Sequence, residues 1–288
     1  MNTKNIKLRN LKDCKNDYLL LTKWYQNKNV YEWFEQRKLT YKEIENKYRK
    51  KLKDNKQSVY IINYNNIDIG LVQIYKYNND INLYNLKEYK NIYEYDIFIG
   101  NIKYINKGIG KNLINAINEF IYKNYKADSI ILRPFKRNIR AIKCYQKCNY
   151  KIIHEYIDTD TLGNKEDVVV LLHTIDKWKF GVNNEYLTKL VLTGKKRATT
   201  SLYKLDNIPN IGDLSILTDS NNNYLCLIET KKIIITRFKN ITWNLAKLEG
   251  ESKSLTEWRN THKDYYSSID KKFNENYKVI FEIFKVIK

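Results

Sequence analysis

The stretch Lys107-Gly108-Ile109-Gly110-Lys111 has residues suited to holding an anion. Two glycines in a tight turn let main-chain N–H groups approach a ligand unobstructed, and a helix opening directly after them adds its positive end. Two longer phosphate loops are excluded, because no third glycine completes G-x-G-x-x-G and no Gly-Lys-Ser/Thr follows. What remains is a site for a diphosphate-bearing group other than NAD or ATP. His154, His173 and His262 stand apart with no ligand spacing. Cys144 and Cys148 lie one helical turn apart without sequence partners, so packing is their plainer role and no structural metal is expected.

These residues need elements to position them. Residues 93–100 form an apolar strand ahead of the glycine turn, and Leu113, Ile114, Ile117, Phe120 and Ile121 follow it at helical spacing. Residues 129–132 read as a strand and 138–147 as a helix, so the order is strand, turn, amphipathic helix, strand, helix. Upstream, 18–26 and 41–52 are helical, and 58–63 with 67–77 make a hairpin about Asn65-Asn66, since Asn tolerates positive φ. Strands at 150–157 and 167–173 flank a turn at Gly163-Asn164, giving an α/β core with a mixed central sheet. Beyond it, residues 177–184 break the pattern, which sets a junction at 174–180 and domains at 1–175 and 176–288. The second domain has a helix at 186–193, strands at 213–217, 224–236 and 277–287, and a short helical interruption at 254–262, the pattern of a small β-barrel carrying helices.

Composition narrows the setting. A chain of 288 residues favours two cores, and 43% hydrophobic content is ample to fill them. Lys and Arg number 52 against 32 Asp and Glu, an excess that attracts polyanions but also follows the Lys, Asn, Ile and Tyr bias of the whole chain. Nowhere do 18 apolar residues run together, and the start carries no signal-peptide core, so a cytoplasmic, non-membrane protein with reduced thiols (Cys14, Cys144, Cys148, Cys226) is expected.

Asn106 to Lys111, then Arg133-Pro134, then Asn138-Ile139-Arg140-Ala141-Ile142-Lys143-Cys144-Tyr145 resemble the GNAT acetyltransferase signature. The resemblance implies acetyl-CoA as cofactor, with its diphosphate on Lys107, Gly108, Ile109, Gly110 and Lys111 and its pantetheine arm along Ile99, Asn138 and Ala141. Tyr145 aligns with the tyrosine that protonates the departing thiolate. The usual first residue of the loop motif, Gln or Arg, is Ile105 here, a tolerable departure because the binding uses backbone amides.

Within that family the first 173 residues look most like aminoglycoside 6′-N-acetyltransferases. Residues 29–34, with Glu32 and Trp33, resemble their early Trp-bearing helix, and 95–100 the strand bearing their active-site Asp. The likeness implies a cationic amine acceptor, an aminoglycoside, bound by Trp33, Glu32 and Asp96, with Glu35, Glu88 and Glu94 as further candidate carboxylates. Branches acting on protein N-termini, polyamines or siderophore precursors share the cofactor motifs and stay open. From Trp178 onward, Trp-x-Phe-Gly, Gly194-Lys195-Lys196-Arg197-Ala198-Thr199, Ile211-Gly212-Asp213, Glu249-Gly250-Glu251 and Ser254-Leu255-Thr256-Glu257-Trp258-Arg259 resemble the PUA-like ASCH domain. This implies RNA or nucleoside binding, or hydrolysis of N4-acetylcytidine by Lys196, Thr199 and Glu251, with Glu229 as a substitute carboxylate. Simple phosphate binding by the basic run is the plainer alternative.

Overall fold

The computed structural model describes residues 5–78 and 84–287. The chain divides into two units, Met1–Thr174 and Ile175–Lys288.

In the first unit the elements run β1 (Ile6–Asn10), α1 (Lys15–Tyr25), α2 (Lys28–Phe34), α3 (Tyr41–Lys53), β2 (Gln57–Tyr64), β3 (Ile67–Lys76), β4 (Ile92–Ile99), α4 (Gly110–Asn124), β5 (Ser129–Leu132), α5 (Ile139–Gln146), β6 (Lys151–Thr159) and β7 (Lys165–Thr174). The seven strands form one sheet in the order β1-β2-β3-β4-β5-β7-β6, antiparallel except between β4 and β5. The β2–β3 hairpin turns on Asn65 and Asn66, both at positive φ, where Asn is among the few side chains that sit without strain. Helix α1 buries Tyr18, Leu21, Trp24 and Tyr25, a spacing that faces one side of a 3.6-residue turn toward the sheet. Helix α3 begins with a capping box of Thr40 and Glu43 and adds Ile44 and Tyr48 to the same core. Each fully buried Leu or Ile there contributes about 1.5–3 kcal/mol.

The parallel pair opens the sheet. Strands β4 and β5 share only three register pairs, Ile92 with Ser129, Tyr93 with Ile130 and Glu94 with Ile131. Past them β5 ends at Leu132, and Pro134 has no N–H with which to extend a ladder. From Tyr95 to Ile99, β4 therefore pairs with β3 on one side and with no described strand on the other.

The second unit runs β8 (Asp176–Trp178), α6 (Asn184–Leu192), β9 (Ala198–Leu202), β10 (Leu214–Thr218), β11 (Tyr224–Arg237), α7 (Trp243–Ala246), α8 (Leu255–Ile269) and β12 (Lys278–Ile287). Its sheet has the order β8-β10-β11-β12-β9 and stays open between β8 and β9, a half-barrel. A register shift between Thr230 and Lys232 marks an irregularity in the long β11, the device that lets a strand bend. Trp258, Phe238, Tyr266, Val279 and Phe281 fill its core.

Several elements exceed the sequence expectation, among them β1, β8, β9, α7 and the end of α8. Strand β1 is an edge strand whose Ile6-Lys7-Leu8-Arg9 is too short and too charged to signal alone. Helix α8 extends to Ile269 rather than 262, because Trp258, His262 and Tyr266 repeat at four-residue steps and keep one face buried past the expected end.

Candidate active site

A cavity of about 610 Å³ opens where β4 and β5 part. Among its lining are Lys107, Gly108, Ile109 and Gly110, at the head of α4. No protein acceptor meets the main-chain N–H of Lys107, Gly108 or Ile109 among the described residues, and the first turn of α4 leaves further amides without intrahelical partners. Gly108 has φ of 73°, a backbone that L side chains avoid, and a Cβ there would meet nothing within 4 Å. The turn thus keeps its glycine for conformation and for the open space in front of it. Gly110 is held by packing instead: a Cβ would lie 2.9 Å from Cys144 Sγ on α5. Arg140 and Lys147, also lining this cavity, add positive charge. Unpaired amides, a helix N-terminus, two glycines and a basic wall together fit a diphosphate.

Asn138 caps α5, its Oδ1 accepting from the Ala141 N–H at 3.3 Å, and both line the cavity, as does Ile99. Lys111 does not: its side chain is exposed, and its carbonyl accepts the Cys148 thiol at 3.7 Å. A side chain one residue into a helix turns away from the axis end, which the linear motif does not reveal.

Farther along lie Asp96 and Tyr145. Tyr145 is 9% exposed, and its hydroxyl has no protein hydrogen-bond partner among the described residues. Burial, reinforced by the charge of Asp96, raises its pKa, so the phenol stays protonated at neutral pH. Asp96, half-buried, has its pKa raised by burial, while Lys51, a hydrogen bond from Tyr75, Arg133 and Lys47 work against that rise. Glu94, one strand position pair away on the same face, is buried and bound by Arg133 through Nε at 2.7 Å and Nη2 at 2.9 Å.

The expected acidic lining is largely corrected. Glu32 does not line the cavity and lies 3.6 Å from the Arg137 guanidinium. Glu88 is exposed and elsewhere, and Glu94 is consumed by Arg133. Glu35 lines the cavity but is paired with Lys47. Trp33 also lines it, with Arg137 stacked 4.7 Å from its ring centre. Sequence reasoning missed Lys47 and Lys51, which α3 presents one turn apart into the cavity; burial lowers the Lys47 pKa to about 8 and lowers that of Lys51 as well. Their four-residue spacing beside Ile44 and Tyr48 was the available signal.

In the second unit a cavity of about 780 Å³ gathers Lys196, Thr199 and Glu251. Glu229 is not among its lining and pairs with Lys231 at 2.5 Å, since alternation along β11 sends it to the other face. Missed in the sequence were Glu249, Thr200 and His262. Buried Lys196 donates to Glu249 at 2.8 Å and to Glu251 at 3.2 Å, Thr200 and Trp258 donate to Glu249, and His262 Nε2 lies 3.5 Å from it. Burial alone would raise the Glu249 carboxyl, but the Lys196 ammonium, with His262, holds it well below the usual carboxylate range. His262 is therefore not isolated in space. Glu249, Glu251 and His262 lie close enough to share a cation, and the Lys196 ammonium is the one that bonds both carboxylates.

Residues 13–157 match the acetyltransferase (GNAT) domain, and residues 176–288 match the ASCH domain. The chain belongs to the GNAT acetyltransferase family. As a GNAT enzyme it uses acetyl-CoA, and a second domain of the ASCH type follows. Aminoglycoside N(6′)-acetyltransferase type 1 of Klebsiella pneumoniae is 24% identical over 139 residues, spanning 47% of this chain and 69% of that protein. A Bacillus halodurans protein of known structure superposes with a TM-score of 0.52 at 16% identity, covering 60% of this chain and 86% of that one, which supports the fold. Spermidine N-acetyltransferase from Vibrio cholerae, solved with CoA and spermine, gives a TM-score of 0.49 at 21% identity over 59% of this chain and 96% of its own. No described helix is long and apolar enough to cross a membrane.

Proposed function

We propose that the GNAT unit transfers an acetyl group to a primary amine seated at Asp96, with Tyr145 as proton donor. The observation that carries this is the row of unpaired amides at Gly108, opening into the same cavity that holds Asp96 and Tyr145. The cofactor supplies an acetyl thioester. Ile109, Gly110 and the head of α4 hold its diphosphate, the open edge of β4 near Ile99 aligns its arm, and Asp96 draws the proton from the acceptor ammonium. Asp96 serves better as a base for being half-buried, because a carboxylate in partial desolvation binds a proton more readily.

For the acceptor, the 6′-amine of an aminoglycoside is one finer assignment among the amines able to pair with Asp96, supported by the likeness at Trp33 and Asp96 and by the Klebsiella relative. CoA thiol release measured on a panel of aminoglycosides tests it. Turnover on none of them, with turnover on other amines, removes the finer assignment; turnover on no amine removes the whole proposal.

Two variants probe the donor half. Tyr145→Phe should lower kcat about 100-fold with little change in donor KM, as loss of a general acid does. Gly108→Val should weaken acetyl-CoA binding about tenfold or more in equilibrium titration, because a β-branched residue at φ of 73° costs about 1–2 kcal/mol and fills the space before the amides.

For the second unit we infer binding of a nucleoside or RNA segment in its own cavity. The specific observation is the state of Lys196: an ammonium bonded to two carboxylates is not free to act as a base toward Thr199, which favours recognition over amide hydrolysis. Binding of RNA to the full chain should weaken steeply between low and high salt, and affinity indifferent to salt, or no binding, would sink this reading.

A further inference from the structure

Five charged side chains line the acceptor end of the first cavity: Glu35, Lys47, Lys51, Asp96 and Arg133. Three are matched within the protein. Arg133 places two donors on buried Glu94, and the Lys47 ammonium meets Glu35. Lys51 has only the neutral Gln57 Oε1, at 3.2 Å, and feels Asp96 and Asp54 through space. Asp96 has only the Tyr75 hydroxyl and joins none of the described ion pairs. One cation and one anion thus line the same cavity without being bonded to each other.

An acceptor ammonium placed on Asp96 takes away the charge that balances Lys51. A polycation would then set a further ammonium group against Lys51, and like charges in a partly desolvated pocket repel. A carboxylate a few bonds from the amine instead meets Lys51 as the amine meets Asp96, and each protein charge finds its opposite. Resting on the amine-transfer reading above, we infer that the preferred acceptor is an amine that also bears a carboxylate, held with its ammonium on Asp96 and its acid group on Lys51.

The test is CoA thiol release by the full chain on matched acceptors: free lysine against cadaverine, 6-aminohexanoate against hexylamine, and kanamycin as a polycation. The carboxylate-bearing member of each pair should have kcat/KM about tenfold or more above its partner, the value of one charge-assisted bond. K51M should erase that gap through KM, and Lys51→Glu should reverse it toward cadaverine, a reversal that a merely damaged fold cannot produce. Cadaverine, hexylamine or kanamycin equalling or outrunning the carboxylate-bearing acceptors overturns the inference and leaves amine transfer standing. Thiol release on none of the five overturns amine transfer and the inference with it.

Discussion

Asp96→Asn is expected to lower kcat/KM for the amine acceptor by about 100-fold or more while leaving acetyl-CoA binding nearly unchanged. The carboxylate is the one anion at the acceptor end not already bonded to a protein cation among the described residues, so the amide leaves the acceptor ammonium without a counter-charge and the reaction without a proton sink. Misfolding is separable from this loss by its sign. The folded pKa of Asp96 lies above the ordinary 3.8, so the charged carboxylate is disfavoured by the fold, and its contribution to stability declines as pH rises from about 3.8 through the folded value. The amide carries no such penalty, and its melting temperature at neutral pH should equal or exceed that of the parent. Retained turnover within about threefold of the parent would remove Asp96 from the chemistry.

Lys196→Met should destabilise the second unit by about 3–5 kcal/mol, the loss expected on removal of one partner from a buried pair. Lys196 is 1% exposed and Glu249 likewise, so the stranded carboxylate has no route to water. Urea unfolding followed by tryptophan fluorescence, to which fully buried Trp258 contributes, measures it. The pH dependence has a defined direction. Because the folded pKa of Glu249 is depressed below the ordinary 4.5, the stability it brings is present above about 4.5 and is lost as pH falls through the folded value. In Lys196→Met that acid-side loss should shrink. A change under about 1 kcal/mol would mean that the cluster contributes no net stability.

The donor half of the site is legible in the chain, and the acceptor half is not, for a physical reason. Gly108, Gly110, Asn138 and Tyr145 fall within 38 consecutive residues, where local turn and helix geometry fixes their mutual positions. The acceptor end is assembled from α2, α3, β3, β4 and the residues after β5, and charge in such a place depends on pairings across the fold. Glu94 reads as available along the chain, yet Arg133, 39 residues later, holds it, and Glu32 faces Arg137 at still greater separation. Lys47 and Lys51 sit in a helix crowded with charged residues, so composition hides them. The same holds for Glu249, whose partner Lys196 precedes it by more than 50 residues, and for His262, which reaches that carboxylate only through the fold. In the fold, the long periodic segments are readable, and the repeat of Trp258, His262 and Tyr266 reaches past the expected end of α8, whereas edge strand β1 depends on the distant β2 with which it pairs.

The early parting of β4 and β5 has a consequence for how this lineage can change. A recess that offers main-chain groups asks little of side-chain identity beyond the glycines of its turn, so residues around it can change to lysine, asparagine or isoleucine without closing it. Family membership can therefore survive at 24% identity while the charged side chains at the other end of the cavity, Lys51 among them, change independently.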